Sequence, residues 1–499
     1  MLASIEPFGL LLLIAAGVVF VALLSNRIGT RLRIPAPAIF LLGAAAASDL
    51  FPSLYGISIG TVEQVVTVAL VLILFDGGMS IGVRRLKVAL APVLVIGVVG
   101  TLLTAAAVAV LAHVLFGLPW LLSLLLGTAL SPTDPAVVFS VLGDREVRGR
   151  AGVIIEGESG ANDPVGIALL LSLLMLGGAL DGSGSGGGGI GAAIGSAVLT
   201  FVVQMVVGAV VGGAGGWLLL QAMRRIPLPG EGLYPVRTLA VAVGLYGLAT
   251  VAHGSGFLAV FVAGIVVGDA AAPFKREIER FHSSLAGLAE IVAFVVLGLT
   301  ISLRDTVTSG AWVIGLVLAA LLAFVVRPLL VGPLLLAVRL TVGERIFVLW
   351  AGLKGAVPIL LGTYILASGT APDRLAYEVI FMVVLFSVVV QGGLVPTVAA
   401  WCGVRMREVV PRPWTLGVRV RDEPEGARRY RVERGAPAVG RSVRDVHRDH
   451  EVWISLVVRD GRPLRVRPDT ELREGDELLV LADPGVEPRG AFAAPGTEQ

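Results

Sequence analysis

Two short stretches place oxygen-rich side chains among prolines inside otherwise apolar sequence: Ser131-Pro132-Thr133-Asp134-Pro135 and Glu158-Ser159-Gly160-Ala161-Asn162-Asp163-Pro164. A carboxylate at mid-bilayer costs roughly 2.5–3.5 kcal/mol on insertion scales, so carboxylates in such runs point to binding of a cation or proton. A proline has no N–H and clashes with the carbonyl four residues back. Pro132 therefore frees the carbonyl of Thr128, and Pro135 that of Ser131. Carbonyls freed in lipid must line a cavity or bind something. With the Thr133 hydroxyl and the Asp134 carboxylate they make an oxygen-rich helix break suited to a hard monovalent cation. Breaks of this kind mark the midplane sites of many secondary transporters. The plain alternative is a proline kink with a capping aspartate.

In the second stretch Glu158 and Asn162 are four apart, as are Ser159 and Asp163, which sets two pairs on adjacent helix faces. Pro164 frees the carbonyl of Gly160. Asp163 is the deepest carboxylate and the expected exchanging group. Removal from water favours the neutral carboxyl, so proton and metal ion can compete there. The rival reading is a carboxylate locked in a structural ion pair. A third break is expected at Gly352-Leu353-Lys354-Gly355-Ala356-Val357-Pro358, where Pro358 frees the carbonyl of Lys354 and two glycines allow close helix crossing. Lys354 is placed to neutralise half-helix C-terminal dipoles while Asp134 faces N-terminal ends. Arg327, just before Pro328, is the expected partner of Glu158, with snorkelling to an interface as the alternative. Asp76 reads as structural and Glu290 as a solvated helix end, with a side chain facing a cytoplasmic funnel as the alternative. His113 and His253 lack metal-ligand spacing.

These side chains need long helices to position them. Of 499 residues, 56% are hydrophobic and only 15% charged, too little charge to cover a water-soluble protein of this size. Apolar runs fall at 8–24, 34–50, 61–80, 91–115, 120–141, 151–178, 190–222, 235–252, 256–271, 286–301, 311–337, 345–367 and 375–400, long enough for a hydrocarbon core of about 30 Å. That predicts an all-α polytopic membrane protein of about 13 helices. Alternate loops carry the arginines and lysines, from Arg27, Arg31 and Arg33 through Arg84, Arg85 and Lys87 to Arg339 and Arg345, whereas the loops between hold only Arg304 and Arg374. The positive-inside rule then sets the N-terminus outside and the C-terminus in the cytoplasm of a multi-pass cell (inner) membrane protein. The run 8–24 lacks a basic leader and a small-residue cleavage site, and reads as a retained helix. A single cysteine, Cys402, excludes an internal disulfide. Asp181–Gly189 is a flexible linker that divides six helices from seven, and Asp269–Leu285 an amphipathic interfacial turn. After Trp401 the composition turns polar. It predicts a linker at 404–415, a small α+β domain at 416–484 and a disordered end at 485–499.

The breaks at Thr133-Asp134-Pro135, Glu158-Ser159 with Asn162-Asp163-Pro164, Arg327-Pro328 and Gly352 to Pro358 together resemble the monovalent cation:proton antiporter superfamily. The branch is that of bacterial sodium/proton exchangers and potassium/proton antiporters. The likeness covers most of residues 8–400, within a transmembrane domain at 1–403. It implies a 13-helix inverted repeat with two crossed discontinuous helices, a homodimer in the bilayer and elevator-type alternating access. By motif position it implies that Asp163 carries ion and proton, with the monovalent cation held by Asp163, Thr133 and Ser159 and the site completed by Asp134. Glu158 and Asn162 are implied as braces and Arg327 as the charge partner. The Asn-Asp pair resembles the branch that exchanges one cation for one proton. Lys354 stands where that branch usually has arginine, losing a planar fork of donors.

The tail, through Pro437–Val443, Val457–Gly461 and Thr470–Leu478, resembles the C-terminal regulatory domain of potassium-uptake and channel proteins. That implies a small-molecule or nucleotide ligand there and a potassium/proton antiporter of the cell-volume-regulation type, active in pH homeostasis. The expected activity is thus an electroneutral potassium (or sodium)/proton antiport, with no cofactor beyond the transported ions and no nucleic-acid partner. A ligand-gated potassium channel is the first rival, though no TVGYG-like filter is present. An intramembrane aspartyl protease is the second, though its Gly-x-Gly-Asp signature is missing.

Overall fold

The computed structural model describes residues 17, 35–51, 58–142, 145–147, 149–180, 190–270, 272–369, 373–408, 427–450, 452–459, 462–482 and 489–493. The expected span 8–24 (Gly17 apart), the linker 181–189, most of the connector 404–415 and most of the end 485–499 lie outside them. The chain divides into two units, Met1–Val409 and Val410–Gln499.

In the first unit α1 (Ala36–Leu50) precedes α2 (Ile59–Leu94), which passes through a π-helical turn at Val95–Gly100 into α3 (Thr101–Phe116). α2 bends at Gly82, whose φ of 63° suits a residue without Cβ. α4 (Trp120–Ala129) and α5 (Pro135–Leu142) are separated by residues 130–134, and β1 (Arg145–Val147) leads into α6 (Arg150–Leu180). Then come α7 (Ile190–Arg225), α8 (Leu233–Val251), α9 (Gly256–Gly268), α10 (Lys275–Leu299) and the short α11 (Leu303–Thr308). A second π-helical turn, Leu322–Val326, joins α12 (Ala311–Leu321) to α13 (Arg327–Leu336). α14 (Val342–Trp350) and α15 (Ala356–Ala367) flank the non-helical residues 351–355. α16 (Asp373–Phe386) continues through a third π-helical turn, Ser387–Gly392, to α17 (Val395–Trp401). β2 (Met406–Glu408) pairs antiparallel with β1.

Among the described residues, 8 helical segments are long and apolar enough to cross a membrane: Ile59–Lys87, Ala89–Phe116, Arg150–Gly178, Gly191–Arg225, Leu233–Val251, Lys275–Leu299, Ala311–Leu336 and Arg374–Gly392. This is a helical polytopic membrane fold. Shorter apolar helices, α1, α4, α9 and α15, lie among them. On α7, Gly208, Gly212 and Gly216 recur every fourth residue. They bring its backbone against Ser255, Ala259 and Ala263 at and in α9, where a Cβ would collide. The expected interfacial turn 269–285 and the span 286–301 are largely one helix, α10. Its polar first turns still bury Ile278 and His282, and Lys275 Nζ reaches back to the Val267 carbonyl at the end of α9 (3.0 Å). A cation capping a helix C-terminus favours that continuity.

The second unit holds a small antiparallel sheet of β3 (Ala427–Arg431), β4 (Val452–Arg459), β5 (Arg462–Leu464) and β6 (Glu477–Ala482) in the order β3-β6-β4-β5. α18 (Val443–His450) precedes β4 and packs on it. Val452, Ile454, Val457, Leu478 and Val480 build its core with Val446 and Leu472. Asp476 is buried and satisfied: Arg459 Nε and Nη2 donate to its two oxygens at 2.8 Å each, and the Arg473 N–H adds a third bond. One expectation needs correcting. Arg489–Phe492, within the end read as disordered, forms a helical turn, α19, whose Phe492 and Ala491 are buried in this core. Their carbonyls accept from Glu433 N–H and Ala438 N–H (2.9 and 3.0 Å). The apolar Ala-Phe pair is the physical reason: it fills a place beside Tyr430 that a polar end would leave empty.

Candidate ion-binding site

α4 stops at Ala129 because its continuation lacks donors at Pro132 and Pro135. Ser131 folds back onto the carbonyl that Pro132 frees: its N–H and Oγ both donate to Thr128 O (3.2 and 2.8 Å). The carbonyl freed by Pro135, Ser131 O, accepts instead from Lys354 Nζ at 3.0 Å, and Pro132 O from the same ammonium at 2.8 Å. Of the two carbonyls that the proline spacing offered to a metal cation, Thr128 O is thus taken by Ser131 and Ser131 O by a lysine. A cation thus sits against the C-terminal end of α4.

Residues 130–134 and 351–355 meet, and the backbone of one completes the other: Asp134 N–H donates to Leu353 C=O at 2.8 Å. Gly355 is required by this contact, since a Cβ there would land on the Asp134 carboxylate. That carboxylate consequently lies at the N-terminus of α15, the positive end of its dipole.

α6 meets the break through a directional chain. Asn162 Nδ2 donates to Thr133 Oγ1 (2.7 Å), the Thr133 and Ser159 hydroxyls are 3.1 Å apart, and Ser159 Oγ donates to Ile155 O (3.1 Å). With Thr133 donating to Ser159, each hydroxyl oxygen accepts one bond and keeps one lone pair. Beside this chain, Asp163 Oδ1 and Asn162 Oδ1 are buried without a hydrogen-bond partner. Both are acceptors, so the pair can receive a cation or a proton. Asp134 and Lys354 are the charged side chains whose fields reach Asp163.

Below this lies a brace. Arg327 Nη1 and Nη2 pair with Glu158 Oε1 and Oε2 at 2.8 and 3.0 Å, both residues being buried. The same guanidinium donates to Leu349 O (2.9 Å) and Val348 O (3.3 Å), capping α14. Gly352 makes room for it, because a Cβ there would strike the guanidinium. Thr133, Asp134, Glu158, Ser159, Asn162, Asp163, Arg327 and Lys354 are therefore brought together where residues 130–134, 351–355 and α6 meet.

Two polar residues there were not anticipated. Ser387 Oγ accepts from Lys354 N–H (2.8 Å) and donates to Gln391 Oε1 (3.1 Å), and Gln391 Nε2 donates to Trp350 O (2.7 Å). Their signal was available: a serine and a glutamine four apart in an apolar run. Glu290 is also misread as a solvated end. Its Oε1 is buried and unpartnered, and Asp134 is within electrostatic reach, because the helix runs on past the point where loop was expected. His113 is structural, with Nδ1 on Leu118 O (2.7 Å) and its ring stacked on Trp120 at 4.0 Å.

Residues 16–401 match the transmembrane region of the sodium/hydrogen exchanger family. The chain belongs to that family. Residues 427–487 match the TrkA-C domain. The exchanger is 31% identical over 486 residues to the K(+)/H(+) antiporter NhaP of Alkalimonas amylolytica, covering 95% of this chain and 82% of that protein. It is 32% identical over 475 residues to the K(+)/H(+) antiporter NhaP2 of Shewanella sp. (strain MR-4), covering 94% and 80%. Its fold is that of the sodium proton antiporter MjNhaP1 from Methanocaldococcus jannaschii, with a TM-score of 0.64 at 22% identity over 78% of this chain and 98% of that one. The exchanger is accordingly a multi-pass membrane cation/proton antiporter with a TrkA-C domain.

Proposed function

We propose that the exchanger trades one monovalent cation, potassium in preference to sodium, for one proton at Asp163. The observation that carries this is the unpartnered pair Asp163 Oδ1 and Asn162 Oδ1, set among the bonded side chains of Thr133, Ser159, Glu158, Arg327 and Lys354. A buried carboxylate without a partner is too costly to stay bare, so it takes up a proton or a cation. Thr133 and Ser159 supply further oxygen ligands, and Asp134 holds the field that draws cations in. A loaded, neutral Asp163 crosses the apolar barrier and an empty charged one does so slowly, which couples the two fluxes. Asn162 contributes no second titrating carboxylate, in keeping with exchange of one charge for one.

The potassium preference rests on the two potassium/proton relatives, which match nearly the whole chain, TrkA-C domain included. In this reading α4 with α5, and α14 with α15, are two interrupted membrane crossings within a 13-helix inverted repeat, moving as an elevator in a homodimer. The N-terminus is outside, and a cytoplasmic domain with a small-molecule or nucleotide ligand sets the rate. The test is proteoliposomes loaded with a pH-sensitive dye. Potassium, then sodium, should dissipate a preset pH gradient through the native protein, potassium at lower concentration, while Asp163→Asn should give only the leak of empty vesicles. Full activity of Asp163→Asn overturns the assignment of the exchanging group.

A further inference from the structure

In an unbroken helix the Lys354 N–H would donate to the Trp350 carbonyl four residues earlier. Here neither group bonds the other, yet both are satisfied, through side chains on one turn of the π-helical segment Ser387–Gly392. Lys354 N–H donates to Ser387 Oγ (2.8 Å), Ser387 O–H to Gln391 Oε1 (3.1 Å) and Gln391 Nε2 to Trp350 O (2.7 Å). Every donor points the same way along this relay, which fixes the orientation of the amide. Trp350 Nε1 adds a fourth bond to the Gln391 carbonyl (3.1 Å). Ser387, Gln391 and Lys354 are all buried. The side-chain relay stands in for one missing backbone hydrogen bond and so holds the helix open.

We propose that Ser387 and Gln391 are positioning residues of the antiport site: by splicing the gap between Trp350 and Lys354 they keep the Lys354 ammonium on the Ser131 and Pro132 carbonyls, beside Asp163. The proposal rests on the reading of Asp163 as the exchanging group. Without the relay, Lys354 N–H and Trp350 O are left buried and unpaired, and their readiest partners are each other. Closing that bond rewinds the break by a residue, turns the Lys354 side chain off the two carbonyls and displaces Leu353 O from Asp134 N–H. The π-helical turn is part of the device. Its extra residue per turn aims Ser387 and Gln391 at the same gap, in keeping with the frequency of such turns at functional sites.

The measurement is cation-dependent proton flux in proteoliposomes of the full chain, taken over a range of potassium concentrations. The apparent KM does not depend on how much protein is active, so it separates positioning from mere loss of fold. Gln391→Leu and Ser387→Ala should each raise KM at least fivefold, and Ser387→Thr, which keeps the hydroxyl, should stay within twofold of native. Ser387→Ala removes a single oxygen and serves alone where the larger change does not assemble. A native KM in Ser387→Ala, whatever its maximal rate, overturns the proposal, as does an equal rise in Ser387→Ala and Ser387→Thr. Asp163→Asn, run alongside, separates the two readings. If it is inactive while Ser387→Ala keeps the native KM, only the positioning role fails; if it is active, the exchanging group is wrong.

Discussion

The Arg327–Glu158 pair offers the sharpest energetic test. Its two bonds, at 2.8 and 3.0 Å, are buried, and the guanidinium also serves the Leu349 and Val348 carbonyls at the end of α14. Removing one member of a buried ion pair costs roughly 3–5 kcal/mol, mostly because the other charge is left uncompensated. Arg327→Met does that to Glu158 and also strips two carbonyls of their donor, each worth about 1–3 kcal/mol. Glu158→Met leaves Arg327 with both carbonyl bonds, so it should cost less. The Arg327→Met/Glu158→Met double variant removes both charges and leaves only the carbonyls to account for. It should therefore be more stable than Arg327→Met alone. Purified protein in detergent, followed by thermal unfolding across this double-mutant cycle, gives the coupling between the two sites. Strict additivity, with the double variant least stable of all, would refute the view that the two charges exist chiefly to neutralise each other.

Other consequences are simpler to read. Lys354→Ala unpairs Ser131 O and Pro132 O at once and should abolish antiport, whereas Lys354→Arg, whose planar fork suits two carbonyls, should retain measurable flux in the same vesicle assay. Gly355→Ala drives a methyl into the Asp134 carboxylate and should lower flux at least tenfold, while Gly332→Ala, at a glycine with ordinary space around it, should not. In the TrkA-C domain, hydrogen bonds from Arg441 and then Arg448 hold the Asp449 carboxyl below its ordinary range, and the Ser442 hydroxyl does the same for Asp445. Groups lowered in the folded state stabilise it at neutral pH and lose that contribution as pH falls below the unfolded value of about 3.9 and through the folded one. Asp449→Asn should thus lower the unfolding temperature of the domain at pH 7 and leave it unchanged near pH 2, as followed by the fluorescence of Trp453.

Much of the site was legible because its causes are local. A proline deletes a donor wherever it stands, so Pro132 and Pro135 announce two free carbonyls, and Glu158, Asn162 and Asp163 announce a polar face in an apolar helix. What the carbonyls then bind is a long-range matter. Thr128 O is claimed by Ser131 next door, which local sequence contains, but Ser131 O is claimed by a lysine 223 residues away. The same division explains Ser387 and Gln391. Their spacing in an apolar run marks them as a polar pair, but a serine and a glutamine can satisfy each other there, and their purpose exists only where Trp350 and Lys354 lie alongside. It also explains the two glycines of Gly352-Leu353-Lys354-Gly355. Their spacing read as close helix crossing, whereas what approaches them is charge: a guanidinium at Gly352 and a carboxylate at Gly355. A break therefore has two halves of different origin. Covalent chemistry decides where a helix ends, and packing decides whether the groups released there meet protein or are kept for an ion. At this site nearly every released group meets protein, and that closure is what makes the unpaired oxygens of Asn162 and Asp163 informative.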